Sequence, residues 1–84
     1  MQGTPKRFLA LDFGAGSGRV MAVDFDGEEL ALNEIHRFDV YATQLGDSLH
    51  WNPVMMLEEA VQGIVRAGTD DPQVAGIGVD TWGV

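Results

Sequence analysis

The first pattern along the chain is a compact apolar run, Phe8 to Phe13, interrupted only by Asp12 and ended by glycine. A short apolar run bounded by turn residues predicts a central strand covered on both faces. Gly14-Ala15-Gly16-Ser17-Gly18 predicts a tight loop, and Arg19 to Phe25 a second strand, favoured by Val20, Val23 and Phe25. Asp26-Gly27 suits a two-residue hairpin turn, because both residue types tolerate positive φ. Leu30 to Phe38 then returns as a third strand, and the three make an antiparallel meander.

Val40 to Leu49 reads as irregular and polar, with a turn at Gly46-Asp47. Asn52-Pro53 opens a helix, since Asn caps well and Pro at the first position loses no needed hydrogen bond. Val54, Leu57, Val61, Ile64 and Val65 recur at helical spacing and predict the buried face. Glu58 and Glu59 fall near its start and Arg66 near its end, each matching the macrodipole, and Gly68 marks the stop. Val74 to Val79 is a second buried strand, interrupted by glycine as expected beside a ligand. With the helix as crossover it runs parallel to the first strand, in the middle of the sheet. The expected class is α/β, in the order β-β-β-α-β.

Composition narrows the function. The chain has 84 residues, enough for one small domain, and 13 acidic against 5 basic residues give a net charge of -8. Nucleic acid and anionic membrane are thereby poor partners, for no cluster of Lys and Arg is present to displace phosphate counterions. With no cysteine, disulfides and thiolate metal sites are excluded, and a reducing cytoplasm fits. Lys6 and Arg7 before Phe8-Leu9-Ala10-Leu11 imitate a signal peptide, but Asp12 breaks the apolar run too early. They read as a basic lead-in to a strand.

The glycine loop carries the candidate chemistry. The dinucleotide fingerprint needs a third glycine where Arg19 stands, and a helix where a strand follows. The Gly-Lys-Ser/Thr loop is absent, since no Lys follows any Gly. What is left is a hairpin with an Asp at the end of its first strand. Small residues there let backbone N–H groups approach phosphate oxygens, with Ser17 as hydroxyl donor and Arg19 as cation. Asp12 is placed to hold Mg²⁺ through water. The plainer alternative is a glycine-rich hairpin whose Asp caps its own turn.

Taken together, several segments resemble the L-rhamnulose-phosphorylating branch of the FGGY carbohydrate kinases. Leu11-Asp12-Phe13-Gly14-Ala15-Gly16-Ser17-Gly18-Arg19-Val20-Met21 is similar to their first phosphate loop, and Glu34-Ile35-His36-Arg37-Phe38 to the end of their third strand. His50-Trp51-Asn52 resembles their lead-in to the first helix, and Gly76-Ile77-Gly78-Val79-Asp80-Thr81-Trp82-Gly83-Val84 their entry to the sugar site. The order and spacing agree along nearly the whole chain. The resemblance implies a ribonuclease H-like, actin-like ATPase fold with ATP in a cleft between two domains. Residues 1–84 would be the N-terminal part of the first domain. It implies transfer of the ATP γ-phosphate to L-rhamnulose, giving the 1-phosphate. By the same resemblance Gly14, Ala15, Gly16, Ser17, Gly18 and Arg19 contact ATP, Gly83 contacts the sugar, and Asp12 is the Mg²⁺-linked aspartate. The family commonly carries a second serine where Gly16 stands, so one hydroxyl is missing. Its general base and adenine pocket lie beyond this stretch, so no catalytic residue is expected here and the piece alone is expected to be inactive.

Asp80 can touch a sugar hydroxyl or a metal, or cap a turn, and Trp82 can stack on the sugar or merely pack. His36 and His50 have no ligand-spaced partner, so both read as structural or solvent-facing, without zinc. Two further functions stay open: a kinase of another ketose, such as L-fuculose or D-xylulose, and a non-catalytic actin-like nucleotide-binding module. An uncovered strand edge near Trp82 is expected to make the piece self-associate.

Overall fold

The computed structural model describes residues 6–71 and 73–82. Strand β1 (Lys6–Phe13) alternates with period two: Arg7, Leu9 and Leu11 are buried, while Phe8 is exposed and Ala10 and Asp12 are half-buried. It is therefore covered on one face, where the apolar run predicted two. β2 (Ser17–Phe25) pairs with it antiparallel and points Gly18, Val20 and Ala22 to the same covered face. β3 (Leu30–Asp39) completes the expected meander, with a bulge opposite Val20 and Met21.

The β2–β3 turn lies one residue later than Asp26-Gly27 predicts. The closing bond runs from Asp26 N–H to the Glu29 carbonyl, so Gly27 and Glu28 are the central residues. Gly27, with φ of 104°, takes the conformation closed to other side chains. The Asp26 carboxylate accepts from the amides of Glu29 at 2.8 Å and Glu28 at 2.9 Å, which pulls its pKa down. Asp is thus the cap of this turn, not a member of its centre.

The stretch read as irregular contains a hairpin, β4 (Ala42–Leu45) and β5 (Ser48–Trp51), which forms a separate two-stranded sheet. Alternation in four-residue strands is too brief to stand out, but the turn at Gly46 is where it was expected, with φ of 61°. Helix α1 (Pro53–Asp70) begins at Asn52, whose side chain accepts from the Met55 amide at 3.1 Å. It passes through Gly68 and ends at Asp71. Asp70 is held in the last turn by Arg7, at 2.6 Å, and this tertiary contact outweighs the stop signal. No acidic side chain falls in the first turn and no basic one in the last, so the macrodipole reading of Glu58, Glu59 and Arg66 is corrected. Glu59 and Arg66 turn to β3 instead.

The buried face of α1 is also not the predicted one. Ala60, Gly63 and Ala67 face the sheet, with Ile64 partly buried beside them. Val54, Leu57, Val61 and Val65 are exposed. Small residues win because the helix axis sits close to the strands: a Cβ at Gly63 would collide with the Val20 side chain. Around that seam Leu9, Val20 and Ala22 are almost completely buried, and each large side chain so buried contributes about 1.5–3 kcal/mol. β6 (Val74–Asp80) then pairs with β1 in parallel, as a crossover through a helix requires. The sheet order is β3-β2-β1-β6. Among the described residues β6 is an edge strand, not a central one, and its Ile77 and Val79 are exposed.

Candidate functional site

The glycine hairpin joins β1 and β2 at one end of the sheet. The Gly14 amide donates to the Ser17 carbonyl at 2.9 Å, and the Gly16 carbonyl accepts from the Val40 amide at 3.1 Å. The loop is thereby fixed from within and from beyond β3. Gly14 spends its N–H on the turn, while Ala15 and Gly16 are exposed and their amides have no protein acceptor among the described residues. Gly18 has a different reason to be glycine: any Cβ would run into the Phe38 ring lying across it. Of the predicted phosphate contacts, Ala15 and Gly16 are presented outward, Ser17 is half-buried, and Gly18 is a packing position.

Next to this loop, on the face of the sheet opposite α1, the registers bring four charged residues into one row. Asp80 lies beside Asp12, Asp12 opposite Arg19, and Arg19 opposite Arg37. The row reads two carboxylates, then two guanidiniums. At its centre Arg19 Nη2 donates to Asp12 Oδ2 at 2.6 Å, with both side chains more than a third exposed. Arg19 Nε is buried without an acceptor, and Arg37 is held by Glu34 at 2.8 Å. The sequence reading assigned Asp12 and Arg19 to different ligands; the structure pairs them with each other. Arg37 was missed, although its place opposite Arg19 follows once the turn and bulge are known.

Asp12 and Asp80 close one end of a shallow groove of about 450 Å³, floored by Ala10, Met21, Val23, Leu32 and Gly78. Past Asp80, Trp82 is half-buried against Trp51 of β5, ring centroids 4.8 Å apart and edge to face. Of the predicted sugar-side residues, Asp80 is a member of the charged row, Trp82 follows it by two positions, and Gly83 lies outside the described residues. Trp51 belongs to the same cluster, and only the docking of the unexpected hairpin reveals it.

Two other ionic groups hold the scaffold. Arg7 is buried and grips Asp24 through Nε at 2.8 Å and Nη2 at 2.9 Å, as well as Asp70. These hydrogen bonds push Asp24 below the usual carboxylate range and keep Arg7 charged. Arg7 is a buried staple between β1, β2 and the end of α1, where the sequence suggested only a lead-in. His36 takes a structural role, as expected. Arg66 donates to its Nδ1 at 2.9 Å, so Nε2–H donates to Glu59 at 2.7 Å, tying β3 to α1. His50 is exposed.

Among the described residues no three His, Cys, Asp or Glu side chains converge on a point. Mg²⁺ asks for less: one or two carboxylates, water, and oxygens from a phosphate. Asp12 and Asp80, side by side at the ends of β1 and β6 and next to the glycine hairpin, fit that donor set.

Fold and site define an α/β protein whose candidate ligand groups gather at the carboxyl ends of two parallel strands, where open α/β sheets bind ligands. More particularly, the chain is similar to rhamnulokinases. It is 38% identical to rhamnulokinase of Oceanobacillus iheyensis over 76 residues, which are 90% of this chain and 16% of that protein. To the Bacteroides thetaiotaomicron rhamnulokinase it is 33% identical over 79 residues, 94% of this chain and 16% of the relative. To that of Mannheimia succiniciproducens it is 37% identical over 78 residues, 89% and 16%. The chain therefore spans about a sixth of these relatives' length. No protein-family model matches it.

Proposed function

We propose that this chain is the phosphate-loop portion of an ATP-dependent sugar kinase of the actin-like ATPase fold. In the whole protein the reaction is phosphorylation of L-rhamnulose to L-rhamnulose 1-phosphate. The observation that carries the reading is the row Asp80, Asp12, Arg19, Arg37 beside a hydrogen-bonded hairpin with two exposed residues whose amides have no protein acceptor among the described residues. Phosphoryl transfer asks mainly for positioning and charge neutralisation, and this edge offers donors for phosphate next to carboxylates for a hydrated cation. Ala15, Gly16, Ser17 and Arg19 hold ATP phosphates, with Gly14 and Gly18 shaping the loop. Asp12 holds Mg²⁺, which when bound neutralises phosphate charge. Asp80, Trp82 and Gly83 form the sugar side. The names of the relatives support the kinase and the sugar. The groove is open and the base that takes the sugar hydroxyl proton is not in this stretch, so the chain alone is inactive. A cytoplasmic setting goes with this reading, and no described helix is long and apolar enough to cross a membrane.

The test is a coupled ADP-release assay on the whole protein with L-rhamnulose, L-fuculose, D-xylulose and glycerol. Preference for L-rhamnulose, lost in Asp12→Ala, is the expected result. Turnover of another sugar keeps the kinase and overturns the substrate. Absence of any sugar-stimulated ADP release overturns the enzyme and favours an actin-like nucleotide-binding module.

A further inference from the structure

The charged row is arranged against itself. Like charges directly opposite on neighbouring strands are unfavourable, and this row has two such pairs, Asp80 with Asp12 and Arg19 with Arg37. The Asp12–Arg19 bridge relieves both pairs at the centre, and Glu34 holds Arg37 at the outer end. That bridge leaves Arg19 Nε buried without an acceptor, a donor that an anion could satisfy. A cation at the carboxylate half and an anion at the guanidinium half would each relieve a like-charged pair. Each must first open the same bridge.

We propose that the row is a coupled two-ion site, in which a divalent cation on Asp12 and Asp80 and a phosphate on Arg19 and Arg37 promote one another by sharing the cost of opening the Asp12–Arg19 bridge. A cation alone takes Asp12 from Arg19. A phosphate alone takes Arg19 from Asp12. When both bind, the bridge is broken once instead of twice, so each ligand raises the affinity of the other by the same factor. Because both partners are well exposed, the factor is modest, about twofold to fivefold for a bridge of this kind. The coupling makes the empty loop favour cation and phosphate together over either alone. Arg37, which the sequence reading did not assign, becomes part of the anion half. This proposal rests on the phosphate-loop reading above, and its test separates the two.

The measurement is an NMR titration of the backbone amides of residues 14–18 in the 84-residue chain, with Mg²⁺ alone and with inorganic phosphate alone. Arg19→Gln frees Asp12 and is expected to bind Mg²⁺ about twofold to fivefold more tightly than the unaltered chain. Asp12→Asn frees Arg19 and is expected to bind phosphate more tightly by a similar factor. Arg19→Lys, which keeps the bridging charge, stays near the unaltered affinity for Mg²⁺. Asp47→Asn in the exposed β4–β5 turn controls for net charge in the phosphate titration, and exposed Lys6→Gln in the Mg²⁺ titration; neither gives a comparable gain. Arg37→Gln loses phosphate affinity and keeps that for Mg²⁺. If both ions bind but neither of the first two variants gains affinity beyond its charge control, the coupling is wrong and the phosphate loop stands. If neither ion moves these amides in any variant, the phosphate-loop reading falls and the coupling with it.

Discussion

Two glycines of the same helix should respond to alanine with opposite signs. In a helix interior Ala is favoured over Gly by about 0.8–1 kcal/mol, because glycine loses more backbone freedom on folding. Gly68 has open space where its Cβ would go and no positive φ. Gly68→Ala should therefore stabilise the chain by about that amount. At Gly63 the same gain is opposed by a collision with Val20, one of the two largest fully buried side chains. Val20 is stiff at χ1 and hemmed in by Leu11 and Ala60. The helix must then lift from the sheet, and overpacking of this kind costs about 1–3 kcal/mol. The net expectation is destabilisation of up to about 2 kcal/mol, and the spread between the variants is the overpacking cost of about 1–3 kcal/mol. Urea denaturation followed by far-UV circular dichroism measures both, at unchanged slope. A Gly63→Ala chain as stable as Gly68→Ala would show that α1 does not sit on Val20 through its small-residue face. A Gly68→Ala chain that loses stability would instead restore Gly68 as the helix stop.

Stability should also fall in acid through Asp24. Its folded pKa is depressed by the hydrogen bonds from Arg7, so its contribution is fully present above the unfolded value of about 3.9. It is lost as pH drops further, through the folded value. Urea midpoints measured downward from about pH 5 should decline, and Asp24→Asn should flatten that decline; an unchanged acid slope in the variant would refute the assignment. Self-association should run through the β6 edge, where Ile77 and Val79 are exposed. Light scattering should show dimers or larger species that grow with added salt, which screens the net charge of -8. Ile77→Lys with Val79→Lys should return a monomer, and a monomer of the unaltered chain at every concentration would dismiss this interface.

The elements legible in the sequence are those with a strong local cause. The meander is announced by short apolar, β-favouring runs bounded by turn residues, the helix start by Asn52-Pro53, and the parallel return of β6 by the helix as crossover. What stayed hidden depends on distance between backbones. The apolar positions Val54, Leu57, Val61 and Val65 have the right period for a buried face, yet a helix seated closely on a sheet needs small residues at the seam. Ala60, Gly63 and Ala67 carry little hydrophobic weight and so escape a search for large apolar side chains. The buried Arg7 was hidden for a related reason: nothing local to it says that Asp24 and Asp70 will arrive on either side.

The charged row shows how small register errors reach chemistry. A two-residue turn at Asp26-Gly27 would have set Phe25 opposite Glu28, and hence Glu34 opposite Arg19. The observed turn sets Phe25 opposite Leu30, and the bulge near Ile35 slips the register once more. Those two local events replace a carboxylate with Arg37 across from Arg19. They turn a row in which Arg19 would have a carboxylate on each side into one with a cationic half and an anionic half. Asp12, Arg19 and Asp80 were all legible as candidates from their places at strand ends, but their relation was not. A bulge near a ligand site re-aims side chains that regular pairing would have satisfied. Here the hydrogen-bonded covered face supplies the stability, and the irregularity falls where charge is left available to a ligand.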